Sequence, residues 1–149
     1  MTPDFDRALG RYAELIVKIG LNLQPGQRLL IRAPIDAAPL VRRVAAQAYD
    51  LGARLVETIY NDPQLLLTRH RHAPADSFSE HSEWWVKAGL EYVENGHATL
   101  SIVGQDPDLL KGIDPARLAA VQRAEGRAAA PLSRLISADA VNWCVVGYA

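Results

Sequence analysis

The side chains best suited to bind a transition metal in this sequence are its histidines, His70, His72, His81 and His97. His70 and His72 are two positions apart, a spacing that brings two imidazoles to one metal on a strand but not on a helix. Their segment has a helical pattern, and the neighbouring Arg69 and Arg71 carry a charge that opposes a cation. This pair therefore indicates a solvated helix face.

His81 is the better candidate for a metal ligand, because Glu80 and Glu83 flank it. Two carboxylates and an imidazole could hold a divalent ion loosely. Surface residues at the start of a helix explain the same pattern more simply. We therefore expect no metal-binding residue in this chain.

Nucleophilic catalysis has two candidate side chains, Cys144 and Ser101. Cys144 lies in an apolar strand between Trp143 and Val145, where burial raises a thiol pKa and makes the group inert. Ser101 lies inside another strand and is expected to pack in the core. The sequence has no Gly-x-Ser-x-Gly motif, which would hold a serine on a sharp turn. We expect no catalytic residue in this chain.

Phosphate binding needs free backbone N–H groups at a helix N-terminus, usually with glycines beside them. The first strand-to-helix turn, residues 33–36, has no glycine, and its Pro34 lacks an N–H while Asp36 adds a negative charge. The later turn at residues 104–107 has one glycine but also an Asp-Pro pair. We therefore expect no nucleotide or other cofactor to bind here.

The tryptophans allow two interpretations. Trp84 and Trp85 are adjacent, so on a helix they point about 100° apart and cannot both face one core. Either the helix has a wide buried face, which is the favoured interpretation, or one of the two covers a cleft or an interface. Trp143 is expected to lie in the core.

The candidate side chains above lie on predicted secondary-structure elements, and along the chain these elements alternate between strands and helices. Apolar runs and turn residues predict a turn and strand over residues 24–34, with its apolar run at 29–31, and strands at residues 53–60, 98–103 and 141–146. Asp36 is a candidate N-cap for a helix over residues 36–51. The Asp-Pro pairs at Asp62, Asp106 and Asp114 each indicate a helix start. This alternation predicts an α/β fold, a three-layer sandwich with a mostly parallel sheet of about four strands and helices on both faces.

The remaining helices follow from apolar spacing. A first helix, capped by Thr2, has a stripe at Phe5, Leu9, Tyr12, Ile16 and Ile19 and should end at Gly20. Residues 74–82 are polar and predict a loop, followed by a helix that starts near residue 84 and stops before residues 95–96. The last helical stretch runs to about residue 138, and Pro131 should kink or split it.

Composition excludes several classes of partner. The chain has 16 Lys plus Arg against 17 Asp plus Glu, without the basic excess of a nucleic-acid-binding protein. No apolar run reaches the length of a membrane span, and the N-terminal residues do not form a signal peptide. The lone cysteine, Cys144, suits a reducing compartment. We expect a cytoplasmic protein.

Several short pieces of this sequence also occur together elsewhere, in the same order. They are Gly-Leu-Asn-Leu at residues 20–23, Pro-Gly-Gln at 25–27, Ala-Pro-Ile at 33–35, Asp-Pro at 62–63, Gly-Gln-Asp-Pro at 104–107 and Asn-Trp at 142–143. In this order the chain resembles the N-terminal domain of the thermophilic metalloaminopeptidases, of the aminopeptidase T and aminopeptidase S type.

The resemblance implies that residues 1–149 are a single α/β domain, the N-terminal domain of a longer two-domain enzyme. The parent would remove N-terminal residues from peptides with two divalent ions, zinc or cobalt. Glutamate, histidine and aspartate side chains of a C-terminal catalytic domain would hold these ions, and no position in this chain matches that ligand set. The resemblance also implies a homodimer. The chain stops soon after its last strand with no closing helix, which suggests a fragment.

Two other functions remain open from the residues alone. The chain could be a stand-alone Rossmann-like module that binds a small anion, or an assembly module with no ligand. A downstream segment rich in Glu, His and Asp would distinguish the aminopeptidase domain from both.

Overall fold

The computed structural model describes residues 3–104 and 106–148. Within these ranges four strands form one parallel sheet in the order β2-β1-β3-β4. The strands are β1 (Arg28–Pro34), β2 (Leu55–Asn61), β3 (Ala98–Val103) and β4 (Trp143–Gly147). The expected α/β fold with a parallel four-stranded sheet is confirmed, and β3 has the predicted bounds.

The described residues form five α-helices: α1 (Pro3–Leu15), α2 (Ala38–Asp50), α3 (Pro63–His72), α4 (Trp84–Glu94) and α5 (Pro115–Ser137). Helices α1 and α2 pack on one face and bury a continuous apolar core with the sheet. On the opposite face α4 contacts β1 and β3, and α5 packs against α4. No helix in residues 3–104 and 106–148 combines the length and the apolar character needed to cross a membrane.

Alternation along β1 separates the two faces of the sheet. Leu29, Ile31 and Ala33 are buried in the core formed with α1 and α2. Successive side chains of a strand point to opposite faces. Arg32 therefore points to the face covered by α4.

The first helix differs from its prediction at its C-terminal end. After Leu15 the chain widens into a π-helical turn, Ile16–Gly20, in which the Leu21 N–H donates to the Ile16 carbonyl at 2.8 Å. The extra residue in this turn shifts the helical phase. Ile19 is therefore 72% exposed, although the spacing predicted that it would be buried.

Gly20 does not have the predicted role of a C-terminal glycine, because the left-handed residue after this turn is Asn22, with φ of 45°. A Cβ on Gly20 would lie 2.8 Å from the Cys144 Sγ. The glycine thus lets β4 approach the end of the first helix. The Asn142 side-chain amide, just before β4, donates to the carbonyls of Leu21 (2.9 Å) and Asn22 (2.8 Å). Two of the short sequences on which the resemblance is based, residues 20–23 and residues 142–143, are therefore in direct contact.

Two of the four predicted aspartate caps are confirmed. The Asp62 and Asp114 carboxylates accept from the backbone N–H two residues on, each at 2.9 Å, and a proline follows each. Asp36 is no cap, since it lies inside a 3-10 turn, Ile35–Ala37, and α2 begins only at Ala38. Asp106 begins a series of turns instead of a helix. The predicted cap Thr2 lies outside the described residues.

Pro131 does not split α5, which is continuous from Pro115 to Ser137. Proline removes the hydrogen bond to the carbonyl four residues earlier, here that of Arg127. Both residues are exposed, so water can bond to the freed carbonyl. A break in the helix is therefore not required.

Candidate functional site

A cleft lies at the carboxyl edge of the sheet, between the strand ends and helices α3 and α5. Its volume is about 620 Å³, and its polar lining comes from Arg32, Asn61, Asp62, Ser101, Gly104 and Glu125. β1 has β2 on one side and β3 on the other, so the direction of the strand order reverses at this point. In open α/β sheets ligands bind at such a reversal, beyond the carboxyl ends of the strands.

Arg32 is the central charged group of this cleft. Its guanidinium carbon lies 4.0 Å from the centre of the Trp85 ring, a cation–π contact. Desolvation lowers the pKa of Arg32, and the Glu125 carboxylate opposes this effect. Within residues 3–104 and 106–148 no hydrogen bond or ion pair of its side chain is found. Its donors are therefore available in the cleft.

Ser101 lies beside Arg32, because the two residues are partners in the pairing of β1 with β3. It is half-buried and lines the cleft. The expectation that it packs in the core is wrong, since its strand turns Leu100 and Ile102 toward the core and Ser101 toward the other face.

The strand-to-helix turns do not form a phosphate cradle. Pro34 ends β1 and a 3-10 turn follows it. At the start of α3 the Asp62 carboxylate already accepts from the Gln64 N–H, the donor that an anion would use. A Cβ on Gly104 would lie 1.7 Å from the Tyr148 carbonyl oxygen, so this glycine serves close backbone packing. Gln105, in the same turn, lies outside the described residues. The absence of nucleotide binding stays a prediction.

The histidines are dispersed. His81 accepts a hydrogen bond at Nε2 from the Trp85 indole N–H at 2.9 Å, and His97 accepts at Nδ1 from the Arg28 backbone N–H at 3.3 Å. In the part of the chain that the structure describes, no three His, Cys, Asp or Glu side chains are close enough to share a metal ion. These residues therefore do not fit a two-metal centre, and metal binding elsewhere in a parent enzyme stays a prediction.

His70 is buried, with 2% of its surface exposed. Within residues 3–104 and 106–148 it is the one buried residue that is polar or charged. Its ring stacks on Phe78 with centroids 5.5 Å apart, and its carbonyl accepts from Arg117 at 3.3 Å. Its Nδ1 has no partner among these residues. Sequence reasoning missed this position, because His72 in the same run also follows an arginine and only the orientation of α3 makes one buried and the other exposed.

We expect the free energy of unfolding to fall between pH 8 and pH 5 partly through His70. Burial, with Arg69 and Arg117 nearby, lowers the pKa of His70 in the folded state, and Glu125 opposes this. Below the unfolded pKa of about 6.5 the unfolded chain binds more protons, so stability decreases as pH falls. Urea unfolding of the wild type and of His70→Leu should show a smaller decrease in the variant. His72→Leu is the control, and an equal decrease in all three proteins would contradict this role.

The tryptophans fit the less favoured interpretation. Trp84 is 60% exposed, whereas Trp85 lines a second pocket, beside the cleft, with Arg32 and His81. A wide buried face is therefore wrong for this helix. Trp143 is 40% exposed, not in the core as expected, because β4 is an edge strand and no helix covers this side of it in the described chain.

Cys144 has the environment that the sequence predicted. Burial raises the pKa of its thiol, and its side chain packs against the core formed with α1. Sequence reasoning missed a second polar group, the Glu57 carboxylate, which accepts a hydrogen bond from the Tyr92 hydroxyl beneath α4. Desolvation and this carboxylate raise the pKa of Tyr92, so the pair is a structural hydrogen bond.

Comparison with known proteins gives a consistent result. The model of the family described as thermophilic metalloprotease (M29) matches residues 5–149. The chain is 42% identical to aminopeptidase 2 of Geobacillus stearothermophilus over 142 residues, which is 95% of this chain and 34% of that protein. It is 39% identical to aminopeptidase AmpS of Bacillus subtilis, over 97% of this chain and 35% of that protein.

A solved structure has the same fold. Wild-type AmpT from Thermus thermophilus superposes with a TM-score of 0.93 at 35% sequence identity, over 97% of this chain and 36% of that chain. The chain thus spans about a third of the length of the relatives that it matches.

Proposed function

Because the chain belongs to the thermophilic metalloprotease (M29) family, we propose that it is the N-terminal, non-catalytic domain of a metal-dependent aminopeptidase with two domains. Its aminopeptidase relatives are about three times as long and match it over 34 to 36% of their length. This partial coverage, together with the dispersed histidines and carboxylates in the described residues, is the observation that carries the proposal.

The parent enzyme would hydrolyse the first peptide bond of peptides. The family's description implies a divalent metal, and we propose two ions, zinc or cobalt, held by the C-terminal catalytic domain. Such ions polarise the carbonyl and activate water. The present domain would form a wall of the substrate cavity and position the catalytic domain. A cytoplasmic location is proposed because the lone Cys144 suits a reducing compartment.

The alternative of a stand-alone small-anion module finds less support. Pro34 and the occupied α3 N-terminus leave few donors for a phosphate. Reading the gene beyond residue 149 is the direct test. A downstream segment rich in Glu, His and Asp would support the aminopeptidase domain, and a stop codon would favour the alternative or an assembly module.

We propose that the exposed edge at β4 promotes self-association, as the implied homodimer requires. Among the described residues β4 has one strand partner, β3, on one side. Its outer face carries Trp143, 40% exposed, and Val145, 54% exposed. An apolar edge strand without cover is a template for pairing with another chain.

We expect the chain to dimerise or aggregate at about 100 µM, a concentration that populates any dimer of micromolar affinity. Val145→Lys should lower its apparent mass in light scattering toward that of the monomer, because a charge on an edge discourages pairing. Leu15→Lys is the matched control, since Leu15 is 55% exposed but lies on α1. A wild-type chain that stays monomeric would contradict this expectation.

A further inference from the structure

We propose that the cleft at the carboxyl edge of the sheet binds a carboxylate group of a peptide through Arg32. The ligand class is a peptide with a free C-terminal or side-chain carboxylate. The identification of the ligand as a peptide rests on the proposed function. The binding of a carboxylate rests on the geometry of the cleft alone.

The contact with Trp85 prepares the Arg32 guanidinium for this task. The indole ring, whose centre lies 4.0 Å from the guanidinium carbon, packs against one side of this group and restricts its motion. The N–H donors lie in the plane of the guanidinium, so its edge stays available. A fork of parallel N–H donors matches the two oxygens of a carboxylate.

The other charges of the cleft favour a single carboxylate over a phosphate. Asp62 and Glu125 line the same cleft as Arg32, so two negative charges oppose a dianionic ligand. Glu125 can instead accept a hydrogen bond from a peptide N–H. Asn61 and Ser101 add groups that bind amides. A phosphate has no amide to use these partners.

The size and the position of the cleft agree with this assignment. Its volume of about 620 Å³ lies within the range of small-ligand sites, roughly 300 to 1,000 Å³. The strand order reverses beside Arg32, and the two partners Arg32 and Ser101 stand on adjacent strands at that point. A dipeptide segment can therefore span the cleft with its carboxylate at Arg32.

Titration of the ¹⁵N-labelled chain with N-acetyl-Ala-Ala tests the proposal. The signal is the indole N–H of Trp85, which donates to His81 next to Arg32. The chemical shift of this N–H should change as the peptide is added and should reach a plateau, with a Kd of about 1 mM. One or two charge-assisted contacts provide an affinity of this size. The indole N–H of Trp143, which donates to Asp139 just before the edge strand β4, should not shift. The matched amide, N-acetyl-Ala-Ala-NH₂, should leave both signals unchanged.

Four variants locate the site. Arg32→Gln should weaken binding of the acid by about tenfold or more, and Arg32→Lys by less, since a lysine keeps the charge without the fork. Glu125→Gln should bind the acid more tightly, because it removes a repulsive charge from an exposed helix position. Arg42→Gln is the control, since Arg42 is exposed on α2 across the sheet.

Three results would overturn the proposal: equal shifts with the acid and the amide, unchanged affinity in a folded Arg32→Gln variant, or tighter binding of inorganic phosphate or ATP than of the acid. If Arg32→Gln does not fold, the Glu125→Gln variant provides the test. Unchanged or weaker binding of the acid by Glu125→Gln would then contradict the proposal. No step measures peptide hydrolysis. A failure here therefore leaves the proposed aminopeptidase domain untouched, and a failure of that proposal leaves a carboxylate site in place.

Discussion

The purified chain is expected to release no nitroaniline from aminoacyl-nitroanilide substrates, with or without added zinc, cobalt or manganese. The proposed metal ligands lie outside this chain, and without the metal the enzyme lacks both its activated water and its electrophile. The rate should therefore equal the uncatalysed rate, a loss of about a million-fold or more relative to a typical enzyme. Absorbance of the released nitroaniline measures this directly.

Aminopeptidase T of Thermus thermophilus, 35% identical over 97% of this chain, is the positive control for substrate and metal. Contamination is tested by repeating the assay on a Gly104→Ala preparation purified in the same way. Turnover by the wild-type chain that depends on added metal and persists through successive columns would show that a catalytic centre lies within residues 1–149.

Gly104→Ala is expected to destabilise the fold by about 2 kcal/mol or more, in the range of overpacked sites. A Cβ at this position would lie 1.7 Å from the Tyr148 carbonyl oxygen and 2.8 Å from its carbonyl carbon. Both are backbone atoms, which cannot rotate away. Tyr148 is also held by its N–H, which donates to the Val103 carbonyl at 2.8 Å. Urea unfolding followed by tryptophan fluorescence measures the change.

Gly10→Ala is the matched control, because Gly10 lies within α1 and a Cβ there would meet nothing within 4 Å. The free energy of unfolding of this variant should be higher than that of the wild type by about 0.5 to 1 kcal/mol, the difference in helix propensity between alanine and glycine. Equal free energies of unfolding for both variants would show that the end of β4 moves without cost.

Much of this architecture could be predicted because it depends on local chemistry. The apolar run at residues 98–103 became β3 at the same bounds, and Asp62 and Asp114 cap the helices that they were expected to cap. In each case a few neighbouring residues decide the outcome. Asp36, in contrast, has no proline directly after it, and a 3-10 turn there takes the place of the first helical turn.

The errors arise where distant residues decide. Spacing predicted that Ile19 would be buried, but β4 packs against Gly20 and the helix before it widens into a π-helical turn. Ser101 and Trp143 lie in apolar strands and were therefore expected in the core. Both side chains point instead to the face of the sheet that α1 and α2 do not cover. The cleft itself could not be predicted, because its lining residues Arg32, Leu66 and Glu125 come from β1, α3 and α5.

The strand order also has a consequence for how the chain reaches its native state. β1 pairs with β2, the next strand along the chain, and this unit can form early because little loop-closure entropy opposes it. The pairing of β1 with β3 closes a longer loop that contains α3 and α4, so we expect it to form later, followed by the pairing of β4 with β3. Contacts of such separation slow folding. Amides of β1 and β2 should therefore exchange with solvent most slowly, and those of β4 should open first, which gives the edge strand the lowest local stability in the sheet.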